Sequence, residues 1–167
     1  EANATEGSRT AQLSFSSFGT VRSATVTQRG QKRTWNEWKE DEITSRDPDT
    51  DQTGPNDSPA GDGIPNLLKY ATGLDPLKPC GSVVQVTAEE AGGDACLVLG
   101  WPVNPEATGI RHAVEASEDL QTWTETAEVK TEGKSSATFR DAVPMNAESP
   151  RRRFLRLKIS REGESPL

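Results

Sequence analysis

The sequence predicts a mostly β protein in which a helix, an acidic loop and a second helix precede a small antiparallel β-sandwich. Three observations lead there. From Cys80 onward, apolar residues recur with period two in short runs bounded by turn residues, the pattern of strands with one buried face. Before Cys80 the period changes to helical spacing on both sides of an acid-rich stretch. The 14 glycines and 11 prolines, with only 32% hydrophobic and 5% aromatic residues, call for many turns and a modest core, which favours β structure over a helical bundle. A length of 167 residues suits one medium domain or a small two-part unit.

Residues 1–33 read as a linker or the tail of a preceding domain. They are rich in Ser and Thr, and Leu13, Phe15, Val21, Ala24 and Val26 support one or two weak strands. Asn3-Ala4-Thr5 fits the N-glycosylation sequon. The chain begins at Glu1 without an initiator Met or signal peptide, so a piece of a longer protein is expected.

Residues 34–79 form the predicted helix–loop–helix unit. Thr34-Trp35-Asn36-Glu37 is a capping box, with the Thr34 hydroxyl on the Glu37 amide and the Glu37 carboxylate reaching back. Trp35, Trp38 and Ile43 then share one apolar face, and at this spacing they are expected in a core. The second helix carries Ile64, Leu67, Leu68 and Ala71 at i, i+3, i+4 and i+7, with Asp62 as its expected cap, Gly73 at its end and Pro76 preventing resumption. Such short helices do not persist alone, so Trp35, Trp38, Leu67 and Tyr70 are expected to pack together.

Between the helices lies the stretch richest in chemistry. Asp41, Glu42, Asp47, Asp49, Asp51, Asp57 and Asp62 face a single base, Arg46, and carry most of the formal charge of −7. Asp47, Asp49 and Asp51 alternate with the spacing that turns carboxylates onto a hard cation such as Ca²⁺. Asp62-Gly63-Ile64-Pro65-Asn66 supplies the second half of an EF-hand-like loop: acid at position 5, turn glycine at 6, the Ile64 carbonyl at 7 and the Asn66 amide at 9. Two features depart from that pattern. Gln52–Gly61 is an insertion, expected to loop out through its Gly and Pro residues. Position 12, where a bidentate Glu is expected, is Lys69. Either Asp57, Asp41 or Glu42 completes the shell, or the lysine ammonium sits where a cation would, and a solvated acidic loop is the bland alternative. The expectation adopted is a weak calcium site from Asp47, Asp49, Asp51, Asp57, Asp62, Ile64 and Asn66, with Lys69 long enough to swing out of the shell.

Residues 80–160 read as the sandwich, and 161–167 as a tail. Strands are expected at 83–87, 96–101, 111–117, 124–130, 137–141 and 154–160, with Leu97, Leu99, Trp101, Val114, Ala116, Leu120, Trp123, Phe139, Leu155 and Leu157 as core. Cys80 and Cys96 are the only cysteines. With His112 they are too few for zinc, so a disulfide is expected, about 3 kcal/mol on the chain-entropy model, in an oxidising compartment.

Taken in order, W-x-x-W, D-P-D-x-D, D-G-I-P-N-L-L-K-Y-A-T-G-L-D-P, V-E-A-S-E-D-L-Q-T-W and R-F-L-R-L resemble modules that end many large exported proteins of environmental bacteria, where a thrombospondin type 3-like or dockerin-like calcium motif precedes a small β-sandwich. The resemblance spans roughly residues 34 to 159. It implies a secreted or cell-surface, or periplasmic, non-catalytic accessory module that packs on other domains or chains of its parent and serves surface retention or export. By position it carries acidic loop roles onto Asp47, Asp49 and Asp62, with Lys69 where the family usually has Glu. The alternative is a carbohydrate-binding module with a glycan partner, which needs exposed coplanar tryptophans rather than buried ones.

Other classes fare worse. A pI near 4.8 disfavours nucleic acid, and no apolar run approaches the roughly 18 residues of a membrane span. His112 is the sole histidine and lies in a predicted strand without a nucleophile motif, so no enzyme activity is expected. Arg151-Arg152-Arg153 reads as a solvated strand edge.

Overall fold

The computed structural model describes residues 9–17, 20–28, 32–91, 94–145 and 152–163. Their elements run β1 (Arg9–Ser17), β2 (Thr20–Gln28), α1 (Trp35–Lys39), α2 (Asn66–Thr72), β3 (Gln85–Ala91), β4 (Asp94–Pro102), β5 (Ile110–Ser117), β6 (Thr124–Val129), β7 (Ser136–Met145) and β8 (Phe154–Arg161). The protein is mostly β, with three small antiparallel sheets and two α-helices. β1 and β2 pair with each other as a hairpin in a sheet of their own. The Asn3 sequon lies outside the described residues.

The six strands expected after Cys80 all form, in two three-stranded sheets ordered β3-β4-β7 and β6-β5-β8. Leu99 and Trp101 of β4, Val103 just beyond it, Ala137 of β7 and Val114 of β5 make one buried cluster, flanked by Phe139, Val129, Leu155 and Leu157. Both sheets contribute, so the period-two pattern has built the interior of a sandwich. The β5–β6 register shifts between Val114 and Glu115, and there the Thr126 hydroxyl donates to the Val114 carbonyl at 2.9 Å.

Of the expected core residues, Leu97 and Trp123 are only half-buried and lie outside this cluster, and Leu120 is exposed. Leu120 is 57% exposed with φ 64°, because it sits in a tight turn organised by two side chains. The Ser117 hydroxyl accepts from the amides of Asp119 and Leu120, and the Asp119 carboxylate accepts from those of Gln121 and Thr122. These backbone hydrogen bonds, those from Thr122 and Gln121 first, hold Asp119 down to about 2. Local polar bonding at the turn outranks the burial of one leucine.

Side chains on the far face of the β6-β5-β8 sheet are covered by charge rather than by another layer. Glu115 is 5% exposed and accepts from Arg156 at 2.8 Å and Lys158 at 2.7 Å. Burial opposes its ionised form, but these two cations outweigh it and hold the carboxylate below its ordinary range. The same Arg156 lies over the Trp123 ring, 4.1 Å from its centroid, and half-covers it. At one end of the sandwich, Arg153 forks onto Asp141 at 2.6 and 2.9 Å. Arg153 is therefore not a solvated edge residue; its neighbour Arg152 is exposed, and Arg151 lies outside the described residues.

α1 begins at the expected capping box, with Thr34 N donating to Glu37 at 2.8 Å and Glu37 N to the Thr34 hydroxyl at 3.4 Å. It continues as a π-helical turn, Glu40–Thr44, which buries Ile43 completely. Trp35, Trp38, Ile43, Leu67 and Tyr70 form the second buried cluster, and Ala107, Ile110 and Ile159 of the sandwich pack against it. Ring centroids of the three aromatics lie 5.4 to 5.7 Å apart in tilted and edge-on arrangements.

Candidate functional site

α2 is short, and its ends are closed by loops rather than by the side chain expected. Asp62 does not cap it: Pro65 occupies the position before the first turn and offers no side-chain bond. Instead the first amides, of Asn66 and Leu67, donate to the carbonyls of Asp57 at 2.8 Å and Pro55 at 2.9 Å. The Asn66 side-chain amide adds bonds to the Gln52 and Gly54 carbonyls at 3.1 and 3.0 Å. The Gln52–Gly61 insertion is therefore not looped out; it folds over the helix start and satisfies donors that no proline or apolar side chain there could. Within it, Gly54 N donates to the Asp57 carboxylate at 2.8 Å, and a Cβ on Gly54 would meet that same oxygen at 2.8 Å. At the other end Gly73 takes φ 74° as expected, and Asn104 caps the last carbonyls, its amide N on Ala71 and its side chain on Tyr70, both at 2.9 Å.

Lys69 is the centre of this arrangement. Its side chain is 0% exposed and that of Asp62 6%, and the two form an ion pair of 2.8 Å. The ammonium also donates to the Lys78 carbonyl at 3.0 Å and the Pro76 carbonyl at 3.3 Å. The lysine has not swung out to solvent; it points inward. Asp62 is equally committed: one oxygen accepts from the Ser58 hydroxyl at 2.9 Å and Ile64 N at 3.0 Å, the other from Lys69 and from Cys80 N at 3.0 Å. Chiefly through Lys69, these donors hold the Asp62 carboxyl far below its ordinary value.

The remaining acids take other partners or face water. Asp49 and Asp51 are exposed and Asp47 half-buried. Glu42 pairs with Arg33 and with Arg46, each at 3.0 Å, and Asp41 lies 3.7 Å from Arg33, so neither completes a shell around Asp62. Among the described residues no three acidic, His or Cys side chains are gathered so that they could hold a metal ion. Asn66 Oδ1 is buried without a partner, and the Ile64 carbonyl is available by sequence. Against these two, the loop numbering that makes Asp62 position 5 makes Ser58 position 1, Ala60 position 3 and Lys69 position 12, three places where a calcium loop supplies carboxylates. The donors at this position do not fit calcium: one carboxylate is present, and all its lone pairs are used.

A second polar knot joins the unit to the sandwich. The Tyr70 hydroxyl lies 2.5 Å from the Arg33 carbonyl and 3.0 Å from the Thr108 carbonyl, and accepts from Thr108 N at 2.9 Å. Burial raises the pKa of this phenol, which keeps it a donor. Arg33 and Ala107 form a parallel bridge beside it. Nothing in the local sequence marks Arg33, Asn104 or Thr108 as partners of Tyr70; their shared position depends on the β4–β5 connection.

The expected disulfide is absent. Cys80 and Cys96 are free thiols, Cys80 half-exposed and Cys96 buried. Cys80 is held at the loop by its amide bond to Asp62, whereas Cys96 sits in β4 between Glu89 and Pro144, so bracketing the first hairpin in sequence does not bring the sulfurs together. His112 is 3% exposed and accepts at Nδ1 from the Trp101 indole at 3.2 Å. An indole can only donate, so Nδ1 carries no proton, and burial lowers the imidazole pKa. Comparison of the chain with protein-family models, with curated proteins and with solved structures gave no match.

Proposed function

We propose that this chain is a non-catalytic accessory module of a larger secreted or cell-surface protein, built to present a rigid body that packs on neighbouring domains. The observation that carries the reading is the use of its tryptophans. Trp35, Trp38 and Trp101 are 7%, 2% and 3% exposed, and Trp123 lies beneath Arg156. Three of the four tryptophans are thus spent on the two cores and the fourth lies beneath a guanidinium, so among the described residues no pair of open tryptophan rings is left as a sugar platform. The one histidine supports the same reading, since its Nδ1 is committed to an indole and burial favours its neutral form.

The test is to fuse residues 1–167 to a neutral reporter carrying a bacterial export signal, to fractionate the cells, and to run the purified fusion through gels containing soluble polysaccharides. The reading expects surface retention and unchanged mobility on every polysaccharide. Release of the reporter to the medium counts against it, and retardation abolished by Trp123→Ala would establish the glycan-binding alternative.

A further inference from the structure

We propose that the Lys69 ammonium is itself the cation of the acidic loop, a side chain standing where related loop spacings place a divalent ion, so that the loop closes without metal. The geometry is that of an ammonium with all three protons placed on oxygen, although the buried Asn66 Oδ1 takes none of them. A lysine ammonium has three N–H donors and no acceptor, and Lys69 meets three oxygens, one carboxylate and two backbone carbonyls, at 2.8, 3.0 and 3.3 Å. Mixed carboxylate and carbonyl oxygen is also the ligand chemistry of calcium, but calcium needs roughly six to eight oxygens at 2.3–2.6 Å.

Charge decides between them. Inside the site there is one carboxylate, Asp62, and one ammonium neutralises it. A divalent ion would leave an uncompensated charge in a pocket whose lysine is 0% exposed. The replacements at the other ligand positions point the same way. Where the loop numbering expects further acids stand Ser58 and Ala60, and the Ser58 hydroxyl donates to Asp62, so a residue that would have been a ligand has become part of the lysine's support.

The tethered ion also reaches further than a chelated one would. Pro76 and Lys78, whose carbonyls it holds, lie on the connection from α2 to the sandwich, and Asp62 binds Cys80 N on the same connection. One internal pair therefore fastens the acidic loop, the helix and the path into the sheets.

The experiment is thermal unfolding of the whole chain in chelator and in about 10 mM calcium chloride, a concentration at which even a weak extracellular-type site would be largely filled. Wild type is expected to melt at the same temperature in both, and Lys69→Glu to melt lower in chelator. The combined variant S58D, A60D and K69E is expected to regain stability on adding calcium. A rise of several degrees in wild type with calcium overturns the proposal, as does a Lys69→Glu chain as stable as wild type in chelator. A combined variant indifferent to calcium denies that the lysine occupies a cation position. Should the variants fail to fold, calorimetric titration of wild type with calcium decides alone, with no binding heat expected and saturable heat overturning the proposal.

Discussion

Two aspartates are buried in ion pairs, and they are held in different ways. Asp141 meets the Arg153 guanidinium edge-on with two nearly parallel bonds, a planar fork that spans the end of the sandwich. Asp62 meets a point charge, Lys69, whose other two protons go to backbone carbonyls. The fork satisfies a carboxylate; the lysine satisfies a carboxylate and two backbone carbonyls, and so ties the acidic loop to the connection after α2. Arg153 also keeps 17% of its side-chain surface in water whereas Lys69 keeps none. A buried pair costs most to break when the charge left behind has no route to solvent.

The comparison predicts its own ranking. Lys69→Met strands Asp62 among backbone donors and is expected to lower the melting temperature by about 10 °C, on the scale of a broken buried pair in a chain of this size. Arg153→Met is expected to cost about half as much, since water can reach Asp141 along the path that Arg153 leaves. Scanning calorimetry of the two variants measures both, and equal losses would dissolve the distinction.

Acidity separates these two pairs from His112, which is buried without a charged partner at hydrogen-bond distance among the described residues. Asp62 and Asp141 both have lowered folded pKa values, by Lys69 in the first and, against opposing burial, by Arg153 in the second. Their contributions are present above the ordinary aspartate range near 3.8 and are lost only as pH falls through the folded values. His112 is also lowered, by burial, from 6.5, so the unfolded chain takes up its proton first and stability declines as pH drops below about 6.5. The melting temperature is therefore expected to fall as pH drops from 6.5 toward the folded value. His112→Gln keeps an acceptor for Trp101 and should flatten that slope while leaving the steeper acid limb in place.

At the exposed limit, Arg111 bridges Glu125 and Glu128 on the open face of the second sheet. Its loss, in Arg111→Ala, is expected to shift melting by only about 2 °C, and less in high salt, because solvent screens such pairs. A shift as large as that of Arg153→Met would mean that the open face is more enclosed than its side-chain exposure of 30–39% indicates.

The same contrast explains what could be read from the chain. The strands, the capping box at Thr34, the apolar face of Trp35 and Trp38 and the glycine end at Gly73 all follow from local spacing, and each stands where that spacing put it. Lys69 was visible as the residue that broke the loop pattern, but not its direction, because the inward orientation depends on how the chain after Gly73 turns back to bring the Pro76 and Lys78 carbonyls to the ammonium. Asp141 with Arg153, and Tyr70 with Asn104 and Thr108, carried no signal: these partners meet only after strands have crossed between sheets. Leu120 and the Cys80–Cys96 pair failed for a related reason. A residue's type suggests burial or bonding, while the turn or register around it decides whether that can happen.

The Tyr70 hydroxyl also bears on the order in which the chain can be assembled. Arg33 and Thr108 are bonded directly across a separation of 75 residues, and closing a loop of that length in one step is slow and entropically costly. Tyr70 stands 37 residues from one and 38 from the other, so it divides the long closure into two nearly equal shorter ones. Whichever half closes first, the second is then a search over about half of that loop. A single phenol thus sits at the midpoint of that closure, and if its bonds form before the transition state, Tyr70→Phe should slow refolding by more than it speeds unfolding.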